Sequence, residues 1–379
     1  MNDLPSVARA PLLLIGLAAL VIGVGGGLER LGVAAHAPLS GIVWHGALMA
    51  SAFFGTLISL ERAVALAQAW AYTAPVANGL GGVFLIAGRS REAFFLFTVG
   101  ASLFLLASCV IFLRQRAQHT GVLTLGAAAL LAADIFIAAG LPSDAPALGW
   151  IAFFVLTIGG ERLELSRLVR PPAAARVAFT ALCLALFLSA LAAPIRAALA
   201  LGSTGALLVA LAAWLWRYDI ASRTVRSSGL TRYIALCLLA GYAWLALGGA
   251  ILILAANGVR ETWDAGLHAI MLGFVFSMVF GHAPVILPAL LRVAFPYRAW
   301  LYGPLALLHA TLVLRIAGDL TGNAQWRESG GLGNAAAIVL FICTAAGLVF
   351  FARTTPPGAR GRGQRGNGEL SGNDQGTPL

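Results

Sequence analysis

Lysine is absent from this chain: all 25 basic residues among its 379 are arginine. Chemistries that run through a primary amine, such as Schiff-base catalysis or the lysine of a phosphate-binding loop, are therefore excluded. Charge of either sign is scarce, at 11% of residues, where a soluble domain carries about 25%. Cysteine is scarce too. Cys109, Cys183, Cys237 and Cys343 all fall inside apolar runs, and none forms a C-x-x-C pair. They read as small buried hydrophobes, not as a disulfide or zinc framework. A cleavable signal pattern is also missing. Arg9 alone precedes the first apolar run, and no small-residue cleavage site ends it, so that run reads as a retained first helix.

What the chain has in abundance is apolar sequence: 60% of residues are hydrophobic and the mean hydropathy is +0.88. That composition predicts an all-α polytopic protein with the lipid bilayer as its solvent. Twelve apolar runs are long enough to cross, given about 20 residues per crossing. They lie at 10–28, 40–60, 73–88, 93–113, 121–140, 147–160, 176–193, 196–216, 231–255, 264–286, 299–317 and 333–352. The third and sixth are the shortest. From Thr354 onward the chain is rich in Gly, Pro, Arg, Asn and Gln. The expected organisation is a twelve-helix domain over 1–353 and a disordered tail over 354–379.

The net charge of +10 raises the question of nucleic acid. Arginines scattered over the loops of a polytopic chain serve topology instead, so no nucleic-acid partner is expected. With the runs alternating across the bilayer, Arg30, Arg89, Arg91, Arg196, Arg260, Arg315 and Arg327 fall on one side. The remaining eighteen fall on the side of the N-terminus. The positive-inside rule makes that side cytoplasmic and puts both termini there.

An internal echo runs through the sequence. Phe53-Phe54 precedes Glu61-Arg62 as Phe153-Phe154 precedes Glu161-Arg162, at an offset of 100 residues. The tenth run shares another part of the pattern with the second: His45, Met49 and Gly55 are loosely matched by His268, Met271 and Gly273. Runs two, six and ten are four apart, which suggests three four-helix units, as repeats are common in polytopic folds. Glu61-Arg62 and Glu161-Arg162 sit at the inner boundary and read as a repeated interhelical clamp, with snorkelling anchors as the plainer alternative.

Four of the six histidines lie in or at membrane runs: His45, His268, His282 and His309. His36 and His119 fall in loops and read as solvated. A polar ring in hydrocarbon needs a partner. At 1.5 Å per residue, His45 lies roughly 8 Å and His268 roughly 6 Å below the outer boundary. Matched depth makes them candidate axial ligands of one haem iron, with Gly46, Ala47, Gly273, Phe274 and Trp44 as slot residues. The competing reading is that each imidazole bonds a carbonyl or caps a helix, and both stand at this point. His309, roughly 13 Å deep, is a candidate ligand to a second metal or a polar bridge. His282 lies about 21 Å along the helix from His268, too far to share its metal. A second site or a helix-end hydrogen bond is open to it. Arg315 either pairs with Asp319 at i, i+4 or holds a haem propionate. Asp134, within the fifth run, requires a partner or a water-filled cavity.

At these residues the chain resembles subunit I of haem–copper oxidases and nitric-oxide reductases, in its twelve-helix plan and its histidines on helices two and ten. It is more similar to the NnrS family, in Leu267-His268-Ala269, Gly281-His282, the early His45 to Gly55 pattern and Leu314-Arg315. The resemblance implies a bacterial inner-membrane protein that binds haem b, and copper in some form. The role implied is in redox chemistry or nitric-oxide and nitrosative-stress handling, with nitric oxide or a redox protein as partner. The departures matter. Runs six and seven hold no histidine, and Ile stands at position 270, so an oxygen-reducing haem–copper centre is not expected. Any copper must draw on His309, His282, Met49 or Met271. From another class, a secondary transporter with repeated bundles and a central substrate site accounts for the same helix count. An inert accessory or assembly subunit is the third reading.

Overall fold

The computed structural model describes residues 4–354, and each of the twelve apolar runs lies on a helix. In chain order these are α1 (Ser6–Arg30), α2 (His45–Leu66, preceded by the short turn Leu39–Val43), α3 (Thr73–Ile86), α4 (Ser90–Arg114), α5 (Gln118–Ala138) and α6 (Asp144–Ser166). The second half comprises α7 (Ala173–Ala192), α8 (Ala197–Tyr218), α9 (Gly229–Ala256), α10 (Arg260–Leu291), α11 (Ala299–Thr321) and α12 (Ala324–Thr354). Among the described residues there are no strands.

Ten of these helices are long and apolar enough to cross a membrane, which makes this an α-helical multi-pass membrane protein. The other two are α3 and α6. α3 has only 14 residues, roughly 21 Å of helix, against a hydrocarbon core of about 30 Å. α6 carries Asp144, Glu161, Arg162 and Glu164 and is buried along nearly its whole length. A helix covered on all faces is an internal pillar. The tail expected beyond Thr354 lies outside the described residues.

Helices without a hydrophobic drive between them associate by close packing, which small residues allow. Gly205 of α8 and Gly249 of α9 face each other so closely that a Cβ on either would lie 2.5–2.6 Å from the other's carbonyl oxygen. Gly26 of α1 meets the Gly41 carbonyl in the same way. The first and last described helices meet: α1 touches α12, and it touches α10 as well. Arg9 helps to fix this closure, donating to the Leu4 carbonyl and, at 3.1 Å, to the Leu290 carbonyl near the end of α10.

α2 and α10 share an irregularity. The backbone leaves α-helical pairing for a π-helical stretch at Leu48–Phe54, three residues after His45, and again at Ala269–Phe276, directly after His268. A π stretch spreads each turn over more residues and redirects the side chains that follow; such stretches occur most often at functional sites. The aromatic rings of α2, α6 and α10 converge beneath these stretches. Phe54 lies 4.8 Å from Phe154 and 5.7 Å from Phe276, centroid to centroid, edge-on to both.

Candidate functional site

Above that aromatic floor lies a cavity of about 610 Å³ enclosed by α1, α2, α5, α6, α10, α11 and α12. The volume falls within the usual range for small-molecule and cofactor sites. Phe54, Phe154 and Phe276 form one end; Trp44, Trp150 and Trp263 with Met49 and Met271 line the walls; Arg30, Arg315, Arg327, Asp144 and Asp264 line the polar end. Both His45 and His268 face this space.

Each of the two imidazoles is oriented through Nδ1. His45 Nδ1 lies 2.6 Å from the Gly23 carbonyl of α1. A carbonyl only accepts, so Nδ1 carries the proton and Nε2 keeps its lone pair for the cavity. The ring reaches this position because α1 presents glycines there: a Cβ on Gly27 would stand 2.8 Å from His45 Cε1. His268 Nδ1 lies 2.9 Å from the Asp264 carbonyl and 3.3 Å from the Asp264 carboxylate. The same reasoning leaves its Nε2 to the cavity. Two lone pairs on one apolar, aromatic-walled space are the donor set a haem iron requires.

At the polar end, Asp264, Arg315 and Arg327 join with Asp319 behind them in one ion-pair network. Arg315, buried, donates from Nη2 to Asp264 at 3.2 Å, and Arg327 Nη2 lies 3.8 Å from the same carboxylate. Asp319 takes Arg327 Nε at 2.9 Å and lies 3.9 Å from Arg315 Nε. The i, i+4 pairing expected for Arg315 and Asp319 is thus the longest contact of the set. Arg315 turns mainly to Asp264, and Arg327 is the closer partner of Asp319. Guanidiniums at the end of an apolar slot suit the carboxylates of a haem edge.

The other candidates lie elsewhere. His282 is used at both nitrogens: Nδ1 donates to the Met278 carbonyl at 2.6 Å, and Nε2 accepts from Arg162 Nη2 at 2.9 Å. Arg162 therefore does join two helices, α6 and α10, but through an imidazole. The two glutamates of the echo, Glu61 and Glu161, lie within electrostatic reach of one another. His309 accepts from Trp244 Nε1 at 2.9 Å with its ring nearly parallel to the indole, outside the cavity lining, and its Nε2 is buried and without a partner. Among the described residues no three His, Cys, Asp or Glu side chains gather as a metal site. Of the residues considered for copper, Met49 and Met271 reach the cavity and the two histidines do not. Asp134 finds its partner in Ser51, 2.5 Å away on the α2 π stretch, and Ser51 in turn accepts from Trp150 Nε1 at 3.2 Å.

Two residues of the polar end had not stood out in the sequence. Asp264 precedes His268 by one helical turn, a spacing that would have signalled it. Arg327 lies at the start of α12 with no local pattern around it.

No curated protein and no solved structure matches this chain. A family model matches residues 9–350, and on that match the chain belongs to the family described as a domain of unknown function, DUF8744.

Proposed function

We propose that the cavity holds one haem b, with His45 and His268 as the two axial ligands and Arg315 and Arg327 facing its carboxylates. The observation that carries this reading is what the two residues share: each gives Nδ1 to a backbone carbonyl, which leaves the lone pair on Nε2, and both line the same cavity. When bound, haem supplies a one-electron couple, tuned by its axial ligands and by burial. The residues do the rest. His45 is held against α1 by Gly23 and Gly27, His268 is held by Asp264, and the three phenylalanines close the slot from one end. With both axial positions taken by protein, the role that follows is electron transfer, within a redox or nitric-oxide-related process and in a bacterial inner membrane. Met49 and Met271 are the side chains that would contribute thioether sulfur to any copper in the cavity.

The wider architecture we propose is twelve crossings in three four-helix units, both termini cytoplasmic. The paired π stretches of α2 and α10 and the meeting of α2, α6 and α10 at one aromatic cluster support the repeat. The count of twelve needs the short α3 and the buried α6 to cross as well, and the side of the termini rests on the arginine distribution.

The test is an absorption spectrum with metal analysis of the purified membrane protein. A reducible Soret band, lost in both His45→Ala and His268→Ala, is expected. A colourless, iron-free protein would sink the haem reading. It would leave a secondary transporter whose anionic substrate meets the arginines of the same cavity.

A further inference from the structure

The two candidate ligands are held differently. His45 leans on a neutral acceptor, the Gly23 carbonyl, at 2.6 Å. His268 has a carboxylate in addition to a carbonyl: Asp264 Oδ2 lies 3.3 Å from Nδ1. A carboxylate acceptor draws the Nδ1 proton toward itself and makes the opposite nitrogen a stronger donor, whereas a carbonyl does so less. The carboxylate is also restrained. Arg315 and Arg327 approach the same oxygen, Oδ2, at 3.2 and 3.8 Å, and so compete with the imidazole for its charge; Asp319 anchors those guanidiniums in turn. Four charges of alternating sign thus fix where the Asp264 carboxylate sits and how much of its negative charge is left for the imidazole.

We propose that Asp264 is a positioning residue that sets the donor strength of His268, with Arg315 and Arg327 limiting how far it does so. This rests on the haem reading above. The consequence is a built-in asymmetry: of the two axial nitrogens, that of His268 is the more electron-rich. A more electron-rich axial nitrogen favours ferric over ferrous iron. Reduction is a one-electron step, and in the experiment dithionite supplies the electron.

Asp319 provides the control. It pairs with the same two guanidiniums and acts on His268 only through space, not through an ion pair. Neutralising either carboxylate removes one negative charge from the polar end. Only neutralising Asp264 also weakens the acceptor at His268 Nδ1.

The experiment begins with pyridine haemochrome analysis of the full-length protein in detergent. A wild-type protein without haem removes the haem reading itself. In a haem-containing protein, midpoint potentials and low-temperature EPR g values are compared for wild type, Asp264→Asn and Asp319→Asn. Asp264→Asn is expected to favour reduction about tenfold, a rise of about 59 mV for a one-electron couple, and to move the g values. Asp319→Asn is expected to shift the potential several-fold less and to leave the g values in place. An unchanged potential and spectrum in Asp264→Asn, or equal shifts in the two variants, would overturn the proposal while leaving the haem reading intact. Should Asp264→Asn fail to load haem, Asp264→Glu decides. It keeps the charge but lengthens the arm, and altered g values are expected; unchanged g values would count against Asp264.

Discussion

Phe54 and Phe154 stand 100 residues apart in the chain, yet their rings meet edge to face with centroids 4.8 Å apart. The contact joins α2 to α6 in the lining of the cavity. Truncating a buried phenylalanine removes packing that neighbours only partly recover, at a cost of about 3–5 kcal/mol. Phe54→Ala and Phe154→Ala are each expected to lower the thermal unfolding temperature in detergent. Because the rings touch, the double variant should lose less than the sum, by about 0.5–1.5 kcal/mol. Strict additivity in the unfolding data would mean that the two rings do not support each other.

His282 and His268 lie on one helix but are expected to differ in what they do. His282 is occupied at both nitrogens, by the Met278 carbonyl and by Arg162. His282→Ala should therefore keep the Soret band that His268→Ala loses. It should instead cost stability, because the buried Arg162 guanidinium loses an acceptor. A double-mutant cycle with Arg162→Ala should give a coupling of about 1.5–3 kcal/mol, the usual scale for a hydrogen bond to a charged group. Haem loss in His282→Ala with no change in melting would reverse the assignment.

Gly27 offers the most direct test of how His45 is seated. A Cβ there would stand 2.8 Å from the ring, and the position is α-helical, where alanine is favoured over glycine by roughly 1 kcal/mol. Gly27→Ala should thus leave the helix formed but push the imidazole out of place. The expected result is a drop in haem per protein with circular dichroism unchanged. Full haem occupancy in Gly27→Ala would show that the ring does not rest on α1 as described.

Asp219 follows α8, outside the spans, with its carboxyl fully buried. Burial pushes its pKa upward, against the opposing pull of Arg162 and of the Ala221 N–H. A carboxyl whose folded pKa is raised favours the folded state while protonated, and that contribution is lost as pH rises through the folded value. Asp219→Asn keeps an oxygen for the Ala221 N–H, which lies 2.7 Å from Oδ1. It is expected to melt higher than wild type at neutral pH, with the difference vanishing as pH falls below the ordinary carboxylate range. Thermal melts across pH measure this; a constant offset, or one that grows toward acid, would contradict it.

Much of the helical frame was legible because its signals are local. A run such as 93–113 announces a helix by apolar length alone, and α4 covers it as Ser90–Arg114. Depth counted from the ends of the expected runs put His45 and His268 at one level; the helices themselves begin at His45 and at Arg260, and what the structure shows is that both residues line one cavity. The shortness of the third run was visible too, and α3 is the 14-residue helix that results.

The sequence by itself determined an all-helical membrane chain, the position of the apolar helices, and the two histidines, His45 and His268, that line one cavity. Only the tertiary structure decided what surrounds those histidines. His282 meets Arg162 from 120 residues away, and His309 meets Trp244 from 65 away. Both rings are thereby turned from the cavity, although nothing in their flanking residues distinguishes them from His268. The π stretches that follow His45 and His268 were equally invisible, because helical pairing by five residues instead of four is set by packing against neighbours, not by local propensity. Asp264, Arg315 and Arg327 form one charged end from three helices. Electrostatic partners chosen across space leave no spacing rule in the chain, and so the polar end of the site existed only once the helices had closed around it.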